Sequence, residues 1–360
     1  MSQSVTHRSS RCPMKRIALF ADGTWSKPDQ HDGDHPTPTN VVKLSIAVAP
    51  QDPNGIDQVV FYQKGLGEQG GLWDKLSGGA FGLGISANIR GLYLFLVQNY
   101  HPGDQIFLFG YSRGAYTVRS VAGLIRNCGI LRPQFVDRMD DAYALYRDRT
   151  PDSHPDAPQS VAFREAYAWP DAPIELIGVW DTVGALGIPV TPLRFWTKSL
   201  YEFHDVALSS HVRYAYQALA LDERRKPFVP TLWQTQSHAT NQVVEQAWFP
   251  GVHGDVGGGQ TLTGLSDGAL LWMADRASRC GLALDPALLP PHGDPAAPMG
   301  DTLTPFYRLL GQRERQPGQT NPSGHEGVHT STLSRHSALP DYHPPALERF
   351  LAMRPVTYLP

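Results

Sequence analysis

Ile106 to Phe109 (IFLF) are four consecutive apolar residues that run straight into Gly110-Tyr111-Ser112-Arg113-Gly114, and a helical pattern follows at once from Ala115 to Asn127. A strand that is apolar at every position, rather than at alternate ones, is buried on both faces, as in a parallel sheet covered by helices. Passing from such a strand into a helix with no loop between them forces a sharp turn, and glycine is the residue that such crowding admits. Comparable runs end in turn formers elsewhere. Arg16 to Ala21 stops at Asp22-Gly23-Thr24, Ile174 to Trp180 at Asp181-Thr182-Val183-Gly184, and Val243 to Phe249 at Pro250-Gly251-Val252-His253; Gln58 to Tyr62 is a further strand. Helical spacing covers Ile85 to Tyr100, Val212 to Leu221 and Leu265 to Cys280. Short apolar strands alternating with helices predict an α/β fold, a mostly parallel sheet with helices on both faces.

The 360 residues suffice for one large domain or two ordinary ones. The reading adopted is a flexible basic tail over residues 1–15 followed by one domain over 16–360, with surface loops at 285–300 and 312–331. The aromatic, irregular stretch 189–205 fits either a flap over a cleft or core packing. A formal charge of −3 gives no support for nucleic-acid binding. Cys12, Cys128 and Cys280 are odd in number and widely spaced, so no disulfide framework or zinc pattern follows, and a reducing compartment, the cytoplasm, is expected. No apolar run reaches the roughly 18 residues of a membrane helix. The N-terminal stretch with Arg8, Arg11, Lys15 and Arg16 lacks the apolar core of a Sec signal, so export would need a route that does not read one.

Ser112, between Gly110 and Gly114 at a strand-to-helix turn, has the pattern of a nucleophile elbow. The following helix aims its N-terminus at the serine. The Arg113 amide, with amides of the Gly23-Thr24 turn, could hold an oxyanion there, although Asp22 could instead brace that turn. An elbow calls for an acid and then a histidine, each just past a later strand; Asp181 and His253 stand at such ends. His329 is the rival base and Asp255 the rival acid. Phe195, Trp196, Tyr201 and Phe203 are the candidate lining of an acyl groove. Two other patterns weigh less. Gly65 to Gly70 is G-x-G-x-x-G, but no acidic residue follows about 20 positions on to hold a ribose, so a glycine loop near the cleft is the better reading. His31-Asp32-Gly33-Asp34-His35 has no bidentate Glu where a calcium loop needs one and reads as a solvated loop.

FADGTW (Phe20 to Trp25), TNVVKL (Thr39 to Leu44), YQKGLG (Tyr62 to Gly67), GYSRGAYTVRS (Gly110 to Ser120), GVWDTVGALG (Gly178 to Gly187), ALALDERR (Ala218 to Arg225) and WFPGVHGDVGGG (Trp248 to Gly259) occur in this order. Together they resemble the α/β-hydrolase family that includes the type VI secretion phospholipase effectors of the first lipase class, over roughly Arg16 to Tyr358. The resemblance implies an α/β-hydrolase-like fold and a Ser-Asp-His esterase, with Ser112 as nucleophile, Asp181 as acid and His253 as base. It also implies the acyl esters of phospholipids as substrate, with a secretion-apparatus component and an immunity protein as partners and a target-cell periplasm as destination. No metal or organic cofactor is needed for that chemistry. Two alternatives stand beside it: an esterase for small soluble esters, and a catalytically silent scaffold that binds a partner.

Overall fold

The computed structural model describes residues 13–23, 26, 29–65, 78–148, 150–169, 171–183, 208–236, 239, 241–318, 325–353 and 358–360. Its centre is an eight-stranded sheet in which every neighbouring pair is parallel. In chain order the strands are β1 (Arg16–Ala21), β2 (Gln58–Gln63), β3 (Gln105–Tyr111), β4 (Ile174–Trp180), β5 (Val212–Ala220), β6 (Val243–Phe249), β7 (Glu326–His329) and β8 (Tyr358–Leu359). In space they run β8-β7-β6-β5-β4-β3-β1-β2. The chain therefore goes from β1 outward to β2, then returns across to β3 on the other side of β1. In open α/β sheets, ligands bind at the carboxyl ends of the strands beside such a reversal. The β1/β3 boundary is the expected position of the site.

Side chains of each strand alternate between two apolar layers, as the pleat requires. Ile17, Leu19, Ile106 and Leu108 join one layer, packed by α2 (Gly78–Asn99) and α3 (Arg113–Cys128), whose Val118, Val121 and Ile125 face the sheet. Phe20, Phe107 and Phe109 join the other, with Leu44 of α1 (Asn40–Ala47) and Leu270 and Met273 of α4 (Gly264–Arg279). Phe20 and Phe109 stack at 4.9 Å between ring centroids, fixing β1 against β3 beneath the switch point. A third cluster, with Trp248, Val328, Leu347 and Phe350, packs on β6 and β7 near one side of the sheet.

Two expectations are corrected. Val212–Leu221 is not a helix; Val212–Ala220 is strand β5, paired along its length with β4 and β6. Its alanines suit a helix, but a central slot in the sheet decides, since strand preference reflects packing more than backbone bias. Gln217, fully buried there, is accommodated because its amide bonds Thr182 Oγ1 at 2.9 Å and the Thr231 carbonyl at 3.2 Å. The stretch 312–331 is not simply surface loop either: it contains β7 and the start of the helix Thr330–Ala338, and Arg315 in it is buried. Pairing with β6 supplies the order that four residues could not signal alone. Of the N-terminal tail, residues 1–12 lie outside the described residues, whereas Lys15 is held by Asp104 through its amide at 3.0 Å and its ammonium at 2.6 Å. Residues 189–205 also lie outside them, Phe195, Trp196, Tyr201 and Phe203 included.

Candidate active site

Ser112 directly follows β3 and opens α3. Its backbone has φ 56°, a left-handed value that non-glycine residues adopt at a cost of about 1–3 kcal/mol. The turn is held by the Ser112 amide donating to the Trp180 carbonyl at 3.0 Å. Gly110 and Gly114 are required by space. A Cβ at Gly110 would lie 2.6 Å from the Gly114 carbonyl, and one at Gly114 would lie 2.0 Å from the Ala21 carbonyl oxygen. The helix thus crosses directly over the ends of β3 and β1.

Asp181 follows β4, also with positive φ, 35°, and is fully buried. Its Oδ1 accepts from the Ala220 amide at 3.1 Å, while Oδ2 accepts from His253 Nδ1 at 2.6 Å and from Arg315 Nη2 at 2.9 Å. Burial alone would raise its carboxyl. The Arg315 charge, the His253 bond and the Ala220 amide together outweigh that and hold it below the ordinary aspartate value. Asp181 is therefore a buried carboxylate kept ionised by its neighbours.

His253 follows β6 through the Pro250-Gly251-Val252 turn and is buried. Its ring lies against Tyr111 at 4.7 Å and meets the edge of Phe228 at 5.0 Å; the Tyr111 hydroxyl donates to the His253 carbonyl at 3.2 Å. Tyr111 precedes Ser112, so the same ring packs beside the imidazole and starts the elbow. The His253 amide donates to Glu223 Oε2 at 3.2 Å. Glu223 is in turn gripped by Arg225, whose Nε and Nη2 lie 2.9 and 2.7 Å from its oxygens. Burial pushes Glu223 upward, but Arg225 overcomes this and holds it below the usual glutamate value. The Arg225 guanidinium also sits 3.5 Å over Phe228 and 4.9 Å over Tyr307, so a cation and two rings form one wall beside the imidazole.

The rival residues have other surroundings. Asp255 bonds the amides of Val252 at 2.9 Å and Gly300 at 3.1 Å and so shapes the turn before His253, while Asp181 takes Nδ1. His329 stacks on Phe249 at 4.1 Å and bonds Ser331; burial and Arg276 push its imidazole down to about 4. Asp22 accepts from Thr39 Oγ1 at 2.7 Å and the Tyr62 hydroxyl at 2.8 Å, a brace between β1, β2 and the start of α1. It also accepts the Gly23 amide at 2.7 Å. An oxyanion receiving the Gly23 amide, as the sequence leads one to expect, would have to compete with that carboxylate. Thr24 lies outside the described residues. The N-terminus of α3, where Arg113 lies, remains the positive end nearest Ser112. Gly65, first of the glycine loop, backs directly onto Gly23: a Cβ there would strike the Gly23 carbonyl oxygen at 1.7 Å.

Arg315, Glu223, Arg225, Phe228 and Tyr307 were not expected from the sequence. Glu223 and Arg225 sit in ALALDERR, and pairing with opposite charge two residues apart was the available signal. Arg315 stands in an ordinary charged run, Arg313-Glu314-Arg315, and carries no signal of its own.

An all-parallel sheet with a strained serine elbow at its switch point, and a carboxylate–imidazole pair past the ends of β4 and β6, with β5 between them, is the frame of the α/β-hydrolase class. Residues 15–276 match the family described as T6SS, Phospholipase effector Tle1-like, catalytic domain. The chain belongs to that family. It is also similar to the uncharacterized protein YEL023C of Saccharomyces cerevisiae, 27% identical over 271 residues, which is 67% of this chain and 37% of that protein. Among solved structures it resembles an uncharacterized protein from Pseudomonas aeruginosa, with TM-score 0.44 and 17% identity over 84% of this chain and 49% of the other. A Tle1 effector bound to the VgrG spike of the type 6 secretion system gives TM-score 0.35 and 17% identity over 73% and 56%. The chain thus spans little more than a third of the length of its yeast relative and about half that of the solved ones. Among the described residues no helix is long and apolar enough to cross a membrane.

Proposed function

We propose that this chain is a serine hydrolase that cleaves the carboxylic ester bonds of phospholipids through an acyl-enzyme. The observation that carries the reading is the 2.6 Å bond from His253 Nδ1 to Asp181, formed beside the Ser112 elbow. With Nδ1–H bound to the carboxylate, Nε2 is the ring nitrogen that can accept a proton. In the first half-reaction His253 takes the proton of Ser112 as Oγ attacks the ester carbonyl carbon. The oxyanion gathers at the N-terminus of α3, with the Arg113 amide as one donor. Collapse breaks the bond to the alcohol, which leaves with the proton from His253. Water then attacks the acyl-serine with His253 again as base, releasing the fatty acid and restoring Ser112. Asp181 stays ionised, fixes the tautomer and stabilises the imidazolium. No step requires a cofactor. Family membership supports the lipid substrate and delivery by a type VI apparatus into a target cell's periplasm, with a spike protein as carrier and an immunity protein in the producer. Comparing the lipids of phospholipid vesicles after exposure to native and Ser112→Ala protein tests it: lysolipid and free fatty acid should appear with the native protein alone.

Arg315 acts on Asp181 in this reading. Arg315→Met should lower kcat/KM by on the order of 10²-fold, less than the roughly 10⁴ that disabling a triad acid costs. The sign of the pH effect follows from the depressed Asp181 carboxyl. Without the guanidinium, burial raises that pKa, so protonation begins at higher pH and the acid limb of kcat/KM shifts upward. Arg315→Lys should lie between, since it keeps the charge but not the planar fork. A profile that scales down without shifting, with Tm and the acid limb unmoved, refutes this assignment.

Chain length of the substrate is a further expectation. The wall of Phe228 and Tyr307 offers apolar surface to an acyl chain. Each buried CH₂ adds about 0.8 kcal/mol, so four more carbons should gain on the order of 100-fold in kcat/KM. A series from acetyl to decanoyl esters, in native protein and in Phe228→Ala, measures this. A flat or falling profile would point to a small-ester hydrolase instead.

A further inference from the structure

Outside the hydrolase site, His336, His343 and Glu348 bring their ligand atoms together within 4.8 Å of one another. They come from three successive pieces of the C-terminal region: the last turn of helix Thr330–Ala338, the connection after it, and the first turn of helix Pro345–Leu351. Both imidazoles point at the same carboxylate oxygen: His336 Nε2 lies 2.8 Å and His343 Nδ1 3.0 Å from Glu348 Oε1. The two rings stand edge to face at 4.5 Å. Side-chain exposures of 23%, 54% and 48% leave the cluster open to ions from solvent.

We propose that these three residues form a zinc-binding site that clips the two C-terminal helices together. The donor set, two imidazole nitrogens and one carboxylate oxygen, is that of three-ligand zinc sites, which complete a tetrahedron with water. Zinc bonds of about 2.0–2.2 Å place neighbouring ligand atoms roughly 3.3 Å apart. The present spacing brackets that value, so half-exposed side chains need only rotamer adjustments to admit the ion. Imidazole selects zinc over calcium or magnesium, which prefer oxygen shells. Each ligand comes from a separately positioned segment, so the ion would constrain the helix–connection–helix unit that packs Leu347 and Phe350 against β7 and Trp248. Next to His343, the Tyr342 hydroxyl donates to Asp222 Oδ2 at 2.8 Å, the oxygen that also takes the Gly251 amide at 2.7 Å. The clip would therefore stabilise the region that backs the turn carrying His253. It does not depend on the triad reading.

The test uses full-length protein stripped with a chelator and titrated with zinc by calorimetry, and with cobalt(II) by its visible spectrum. The expected result is one ion per chain, a tetrahedral cobalt spectrum, and a rise in Tm with zinc but not magnesium. His336→Ala and His343→Ala should each weaken binding at least on the order of 100-fold, beyond the 10–100-fold typical for residues that only support ligands. Glu348→Gln should also weaken it and abolish the zinc-dependent rise in Tm. A double change of His31 and His35 to Ala, in the exposed hairpin elsewhere, should leave binding unchanged. Absence of stoichiometric uptake, or uptake undiminished in the His336→Ala and His343→Ala proteins, overturns the site. These surface substitutions retain the fold, which unchanged Tm without zinc will verify.

Discussion

Ser112→Ala is expected to lower kcat for ester hydrolysis by about 10⁶-fold, the scale of losing a nucleophile that acts as one unit with its base. The substitution removes a single oxygen and leaves the backbone as it is. Alanine suffers the same left-handed penalty at φ 56° as serine does, and the elbow's shape rests on Gly110, Gly114 and the bond to Trp180 rather than on the hydroxyl. Tm should therefore hold while turnover disappears. Burst kinetics on a p-nitrophenyl ester give the cleanest reading: native protein should release about one equivalent rapidly before the steady rate, and the variant none. Undiminished turnover in Ser112→Ala would exclude Ser112 as nucleophile, whereas no activity in either protein would favour a silent scaffold.

His253→Ala should be as damaging, for the same reason of joint action. The accompanying structural cost is modest to the acid, because Asp181 keeps its bonds to Arg315 and to the Ala220 amide. Some loss of Tm should accompany it, since the ring fills space between Tyr111 and Phe228. His329→Ala is the control. That imidazole is held near a pKa of about 4, packs on Phe249 and bonds Ser331, so its removal should cost packing and leave kcat near native. Steady-state kinetics of the two variants at equal folded fraction decide the matter; a catalytic collapse in His329→Ala alone would relocate the base.

What could be read in the sequence was whatever a single strand and its following turn express locally. Runs such as IFLF and IELIGVW announce strands buried on both faces, and in a parallel sheet the residues just past them gather at one edge. That is why Asp181 and His253, far apart in the chain, could be nominated together before their bond was seen. Features created by pairing were not legible. Val212–Ala220 has the alanines of a helix and becomes a strand between β4 and β6, where the amide of Gln217 finds partners that exist only in the folded chain. Two- and four-residue strands such as β8 and β7 are too short to show a period. Arg315 is one charge in a charged run until the fold sets it against Asp181, and the bond from the Gly23 amide to the Asp22 carboxylate has no signature in the sequence.

The ion pair between Asp181 and Arg315 also joins residues that are synthesised far apart in time. A ribosome adds roughly 5–20 residues per second. Once His253 has been translated, 62 residues must still be added to reach Arg315, an interval of roughly 3–12 s at that rate. Through that window a nascent chain holds Ser112, Asp181 and His253 but not the cation that helps to keep Asp181 ionised once it is buried. The strands that finish the sheet beyond β6 arrive later still. On the proposed reading, the nucleophile, acid and base would all be made before the cation that supports the acid, and their final electrostatic setting would form only after Arg315 had joined them.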